Sequence, residues 1–212
     1  ISAQPFHPKL ILLLLTLFVT IVLVLASWFL IQAIAPINYK IKEIQIVPIG
    51  EVAPSKQHTF LTILETEFPG IKASIASPMQ PPTKAYDLSR KQYNAEMLLS
   101  ELQKRSADNT IRQVGIIQDD LYTPDLNFVF STTQPKSNSL ILSLARLTDP
   151  SSEKSEQRYR KVLLRAIGIT FGLKPSGSLD RSCIMAFSNS LEELDSKGLD
   201  WCENRALIQR IQ

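Results

Sequence analysis

The sequence predicts an α/β domain with a mixed sheet, placed behind an N-terminal transmembrane helix. Three observations carry this. A long apolar run near the start holds no charge, β-branched runs alternate with amphipathic stretches beyond it, and Pro or Gly punctuates the boundaries between them.

From Leu10 to Tyr39 no Asp, Glu, Lys or Arg occurs, and Leu, Ile, Val, Phe and Ala dominate. A helix of roughly 20 such residues crosses a hydrocarbon core. The expected organisation is a flank at 1–9, a transmembrane helix at 10–35 and one soluble domain at 36–212. Thr16, Thr20 and Ser27 are tolerated because a helical hydroxyl bonds back to its own preceding turn, and Trp28 suits an interface. The run exceeds the apolar region of a signal peptide, typically about 7–15 residues. Lys9 on one side and Lys40 and Lys42 on the other barely discriminate orientation.

Pro36 marks the helix exit. Ile41, Ile44, Ile46 and Val47 read as a first strand ending at Pro48 and Gly50, and the spacing of Phe60, Leu61, Ile63, Leu64 and Phe68 predicts a helix from about His58 to Phe68. A second strand follows at Ile71–Ala76, then a Pro-rich loop. A second helix is expected from about Ser89 to Arg105, and strands at Val114–Ile117, Phe128–Ser131 and Leu140–Leu144. A polar stretch, Thr148–Gln157, precedes a third helix from about Gln157 to Leu173, amphipathic through Val162, Leu163, Ala166, Ile167 and Phe171.

The net charge is only +3, with no basic stripe interleaved with aromatics, so nucleic acid is not an expected partner. Two cysteines build neither a disulfide-dense scaffold nor a cysteine-only zinc site. The two histidines, His7 and His58, leave none from Thr59 to the end, so Ser143 and Ser188 have no histidine base.

The tract from Arg158 to Arg205 resembles the active-site region of the archaemetzincins, a zinc protease family whose signature is similar to HExxHxxGxxHCxxxxCxM with a later CxxC. Further similarity lies at Ile46–Gly50, Ala85–Ala95, Asp119–Phe130 and Ser143–Leu147, and the strongest block is CIMAFSNSL at Cys183–Leu191. The resemblance implies a zincin-like α+β domain with a long active-site helix. In that signature two histidines on one helix face and a third beyond a glycine turn grip zinc, while the glutamate activates water.

This chain departs from the pattern at each chemical position. Arg165, Ile169 and Pro175 stand where the histidines are expected and Ala166 where the glutamate is, although Gly172 is kept. Of the family's four structural-zinc cysteines, Cys183 and Cys202 are retained and Ser176 and Arg205 stand for the others. The loop before Cys183 is longer by two residues than the family spacing. The resemblance therefore implies no metal, no cofactor and no hydrolytic activity. It also implies that Cys183 and Cys202 lie near enough to bridge in an oxidising compartment, which would set the domain on the non-cytosolic side.

Several residues stay open between two readings. Met185 resembles the methionine under the metal, or simply fills the core. Arg165 is an anion-binding residue of the old cleft, or a surface arginine paired with a carboxylate. Arg158, Arg160 and Lys161 form a solvated face, or touch lipid head groups. Asp119 and Asp120 are adjacent and are not expected to form a catalytic pair. The functional expectation is a membrane-anchored pseudoprotease serving as an accessory or structural subunit of a membrane protein complex, its partners being the bilayer and other integral membrane proteins. The alternative is a peptide-binding regulator or chaperone-like module using the old cleft. An active metallopeptidase has the least support.

Overall fold

The computed structural model describes residues 17–23, 41–105, 108–135, 137–176 and 182–208. The chain divides into a unit ending at Asn38 and a unit from Tyr39 to Gln212. In the first, residues 17–23 are helical and exposed, with Thr20 Oγ1 donating back to the Leu17 carbonyl. The rest of the 10–35 span lies outside the described residues, and among these no helix is long and apolar enough to cross a membrane.

The second unit is built on a five-stranded sheet in the order β2-β1-β5-β8-β7. Its strands are β1 (Glu43–Ile49), β2 (Lys72–Ile75), β5 (Ile111–Ile117), β7 (Ser131–Thr133) and β8 (Ser139–Ser143). All pairings are parallel except β7 with β8, where Ser131 faces Leu142 and Thr133 faces Leu140. A second small sheet joins β3 (Tyr86–Asp87), β4 (Gln92–Asn94) and β6 (Leu121–Tyr122).

Strand side chains alternate between faces, and the main sheet is covered on both. Ile44, Ile46, Val114, Ile116, Leu140 and Leu142 belong to one core with helices α1 (Pro54–Glu67) and α3 (Ser152–Thr170). Val47, Ile49, Ile117 and Ile141 belong to the other, with helix α2 (Ala95–Gln103). Burial on both faces explains why these strands read as near-continuous apolar runs, as parallel strands do. Two short helices, α4 (Leu191–Asp195) and α5 (Arg205–Ile208), close the chain.

The differences from the sequence reading are local and have local causes. Helix α1 starts at Pro54 rather than His58, because a proline at the first helical position lacks only a donor that would have no helical partner. Helix α2 starts at Ala95 rather than Ser89. Asn94 caps it by accepting from the Glu96 and Met97 amides, and Asp87 organises the preceding turn by accepting from Ser89 and Arg90. Helix α3 begins at Ser152, so the polar stretch is helical from Ser152 onward; the Ser151 hydroxyl accepts from the Lys154 amide. The strand expected at Phe128–Ser131 is displaced to Ser131–Thr133.

Arg158 and Lys161 are not on a solvated face. Both are buried: Arg158 meets Asp195 through two bonds of 2.7 Å, and Lys161 donates to the carbonyls of Leu194 and Asp195 at 3.2 and 2.7 Å. Arg160 pairs with Glu67.

Candidate functional site

Helix α3 carries the site. Its inner face buries Tyr159, Val162, Leu163, Ala166 and Ile167, an amphipathic pattern that fixes which way the remaining positions face. Gly168 lets the next segment approach closely. A Cβ there would fall 2.8 Å from Met185 Sδ and 3.0 Å from the Trp201 ring, so Met185, fully buried in the core, lies directly against the helix. The helix ends at Thr170, and Gly172 just beyond it takes a left-handed φ of 82°, after which the Leu173 amide returns to the Gly168 carbonyl at 2.9 Å.

The four positions expected to hold the protease signature go to different places. Ala166 is fully buried in the core, Ile169 packs half-buried against it, and Pro175 is exposed beyond the helix end. Only Arg165 lines the adjoining cleft. This cleft, of about 230 Å³, is walled by Phe128, Phe130 and Ser131 on one side and Val162 and Arg165 on another. Phe187, Ser188 and Lys197 complete the wall.

Arg165 has neither the surface position nor the carboxylate partner that one sequence reading allowed. It is half-buried, its Nε donates to the Ala186 carbonyl at 3.1 Å, and its guanidinium lies 5.4 Å from the Phe187 ring centre. Lys197, only 4% exposed, donates to the same Ala186 carbonyl and to that of Ile184 at 3.5 Å. Neither cation makes an ion pair among the described residues. Burial lowers the Arg165 pKa. Burial, reinforced by the charges of Arg165 and Lys161 and opposed by Glu193, brings Lys197 down to about 8.

The fold implies a zinc site here, and the donor set does not fit one. A guanidinium and an ammonium offer only donors, and alanine, isoleucine and proline side chains have no lone pair for a metal. Among the described residues no group of three or more His, Cys, Asp or Glu side chains is placed to hold an ion.

The second cluster from the sequence lies just beyond. Cys183 and Cys202 are joined in a disulfide with Cα atoms 5.7 Å apart, inside the usual range for such a bond. The Ile184 amide donates to the Asp200 carbonyl at 2.8 Å, and the Asp200 carboxylate accepts from the Cys202 amide at 2.8 Å. Arg205 also binds this carboxylate, through Nε at 2.8 Å and through a second nitrogen. These bonds, Arg205 first, hold the Asp200 pKa below the usual carboxylate range. The Ser176 amide donates to the Met185 carbonyl at 3.3 Å, so Ser176 is tied into the same turn.

Sequence reasoning did not single out Lys197. It sits in a short polar connection with no periodicity, where only the fold reveals its burial. Asp120 pairs with Arg146 at 2.7 Å and accepts from Gln92 at 2.8 Å, a structural use outside the cleft.

Comparison with known proteins agrees with this architecture. Residues 69–210 match Peptidase family M54. The archaemetzincin of Methanopyrus kandleri is 39% identical over 130 residues, covering 61% of this chain and 73% of that protein. That of Pyrococcus furiosus is 32% identical over 180 residues, covering 78% and 92%. The crystal structure of the Methanopyrus kandleri protein superposes with a TM-score of 0.70 at 31% identity, covering 83% of this chain and 97% of that one. The Archaeoglobus fulgidus archaemetzincin, solved in complex with malonate, gives 0.68 at 28% identity, covering 78% and 99%. The family match runs from β2 through the long helix and the segment that follows it, and on that ground the chain belongs to Peptidase family M54.

Proposed function

We propose that this chain is a non-catalytic member of its family, held at a membrane by residues 10–35 and acting as an accessory subunit of a membrane protein complex. One observation carries the non-catalytic reading. At the helix position where a zinc-binding histidine is expected, Arg165 reaches into the cleft and is fastened to the Ala186 carbonyl, with the buried Lys197 fastened to the same atom. A metal ion placed beside two fixed positive charges would be repelled, and without a metal there is no water of lowered pKa to attack a peptide. The membrane part rests on the charge-free apolar run, and the partners are then the bilayer and other integral membrane proteins. The Cys183–Cys202 bridge favours the non-cytosolic side, where disulfides persist.

The test has two arms. The purified chain should show no chelator-sensitive peptide hydrolysis, and in mild detergent it should migrate with partner proteins. Chelator-sensitive cleavage would overturn the first part. A protein that is monomeric in every gentle extract would overturn the second.

A second reading, a peptide-binding module, is favoured by a separate observation. The cleft is not filled: about 230 Å³ stays open beside β7, the edge strand of the main sheet. Edge strands accept extended peptides by backbone pairing. The malonate on the Archaeoglobus fulgidus relative is a dicarboxylate, and the cations of this cleft suit an anionic ligand.

A further inference from the structure

The buried Arg158 has Asp195 at 2.7 Å and Asp149 at 3.4 Å, whereas the buried Lys161 donates to the carbonyls of Leu194 and Asp195, beside that same Asp195. Arg165 and Lys197 differ from Arg158 in having no such carboxylate among the described residues. Both donate to one carbonyl oxygen, so two like charges converge at one point of the cleft wall, and neither has an ion-pair partner among the described residues. Glu193, the acid whose charge acts on Lys197, accepts from the Asn189 amide at 2.7 Å. Like charges in a half-dry site repel more strongly than in water. A single anion between them relieves that repulsion.

Two further features describe the anion. Ser188 lines the same cleft, and its buried hydroxyl has no hydrogen-bond partner among the described residues. A buried hydroxyl left unmatched costs about 1–3 kcal/mol, which a ligand oxygen would recover. Phe128, Phe130, Val162 and Leu194 give the wall a large apolar part, and its lip carries Phe187 and Leu126, exposed at 57% and 42%. An inorganic anion would leave that surface wet.

We infer that the cleft binds the C-terminal carboxylate of a polypeptide that ends in an apolar residue, with the carboxylate held by Arg165, Lys197 and Ser188 and the last side chain laid against Phe128 and Phe187. This rests on the non-catalytic, peptide-binding reading and adds the ligand class and polarity. Arginine gives a carboxylate directional, charge-assisted bonds, and lysine adds a point charge. The adjacent edge strand β7 offers backbone groups to residues upstream of the terminus.

The interaction is pH-dependent with a defined sign. The groups acting on the Lys197 charge are Arg165 and Lys161 from α3 and Glu193 from α4, and its pKa is about 8. A bound carboxylate favours the ammonium, so affinity should fall as the pH rises past about 8.

Fluorescence anisotropy on the full chain in detergent buffer tests this with a labelled peptide ending in Phe, its C-terminal amide, and 3-phenylpropionate as competitor. The free acid should bind saturably, the amide about tenfold or more weakly, as expected for losing bonds between charged groups. Arg165→Gln and Lys197→Gln should each weaken the acid to a similar degree without affecting the amide. Equal binding of acid and amide, or no saturable binding of either, overturns the inference. Competition by 3-phenylpropionate at the peptide's own affinity would overturn the polypeptide assignment. Should the variants fail to fold, the acid-to-amide ratio on the unaltered chain decides alone. A metal-free, inert chain that ignores the acid refutes this inference and leaves the non-catalytic reading standing, whereas stoichiometric zinc refutes both.

Discussion

The bridge at Cys183–Cys202 and the cleft at Arg165 share the segment that follows α3, yet their polar groups are disposed in opposite ways. Around the bridge every feature is matched: sulfur to sulfur, Asp200 to Arg205, the Ile184 amide to the Asp200 carbonyl. In the cleft two cations share one carbonyl, Ser188 finds no partner among the described residues, and the walls stay open. The first region has the character of a clamp. The second has the character of a receptor, because unmatched charge and open apolar surface are costs that a ligand removes.

The largest effect is expected at Met185, buried against Gly168 of α3 in the turn that carries Cys183. Met185→Ala leaves a cavity between Gly168, Trp201 and Leu173, and a truncation of this kind costs about 2–5 kcal/mol. Urea denaturation should show that loss, and a change below about 1 kcal/mol would mean that the turn is loosely packed.

Reducing the bridge, or replacing Cys183 by Ala, comes next. A covalent loop with a sequence separation of 19 is worth about 3 kcal/mol in the chain-entropy picture. Peptide mapping without reductant should recover the Cys183 and Cys202 peptides as one species. Carboxylate binding should survive reduction if clamp and receptor are separate, and its loss on reduction would join them.

The two regions also differ in how pH acts on them. Lys197, at about 8, lies below its unfolded value of about 10.4, so between these limits the unfolded chain binds more protons and stability rises with pH. Lys197→Met should flatten that rise. The Asp200 pKa is depressed instead, so its contribution is present at neutral pH and is lost on acidification below the ordinary carboxylate range. Thermal melts across pH of both Lys197→Met and Asp200→Asn chains separate the two slopes.

The smallest effect belongs to Arg205→Ala. Its partner Asp200 is partly exposed and Arg205 more so, and solvent screening leaves exposed pairs little net effect on stability. A larger loss would mean that Arg205 organises the bridge itself.

Much of this architecture was legible because apolar spacing is a direct record of burial. The parallel strands at Glu43–Ile49, Ile111–Ile117 and Ser139–Ser143 and the inner face of α3 all announce themselves by pattern. Boundaries were less legible. Helix α3 begins within a run of Ser, Glu and Lys whose exposed face has no reason to be apolar, and only the Ser151 cap marks its start. Phe128 and Phe130 imitate a strand, but their rings meet edge to face 5.3 Å apart in the cleft wall while the ladder begins at Ser131. In the site, the signature positions were legible as residue types, yet their destinations were not. That Ala166 turns inward, that Arg165 lies in the cleft, and that Lys197 joins it are consequences of packing between α3 and a distant connection.

The central claim is that fixed cations stand in this cleft where the family signature calls for a metal. The most direct measurement is the zinc content of the purified chain after chelator-free gel filtration and again after incubation with zinc and desalting. No stoichiometric zinc is expected in either sample, because Arg165, Ala166, Ile169 and Pro175 offer no lone pair to a metal and Arg165 and Lys197 hold positive charge in its place. About one tightly held zinc per chain would contradict it.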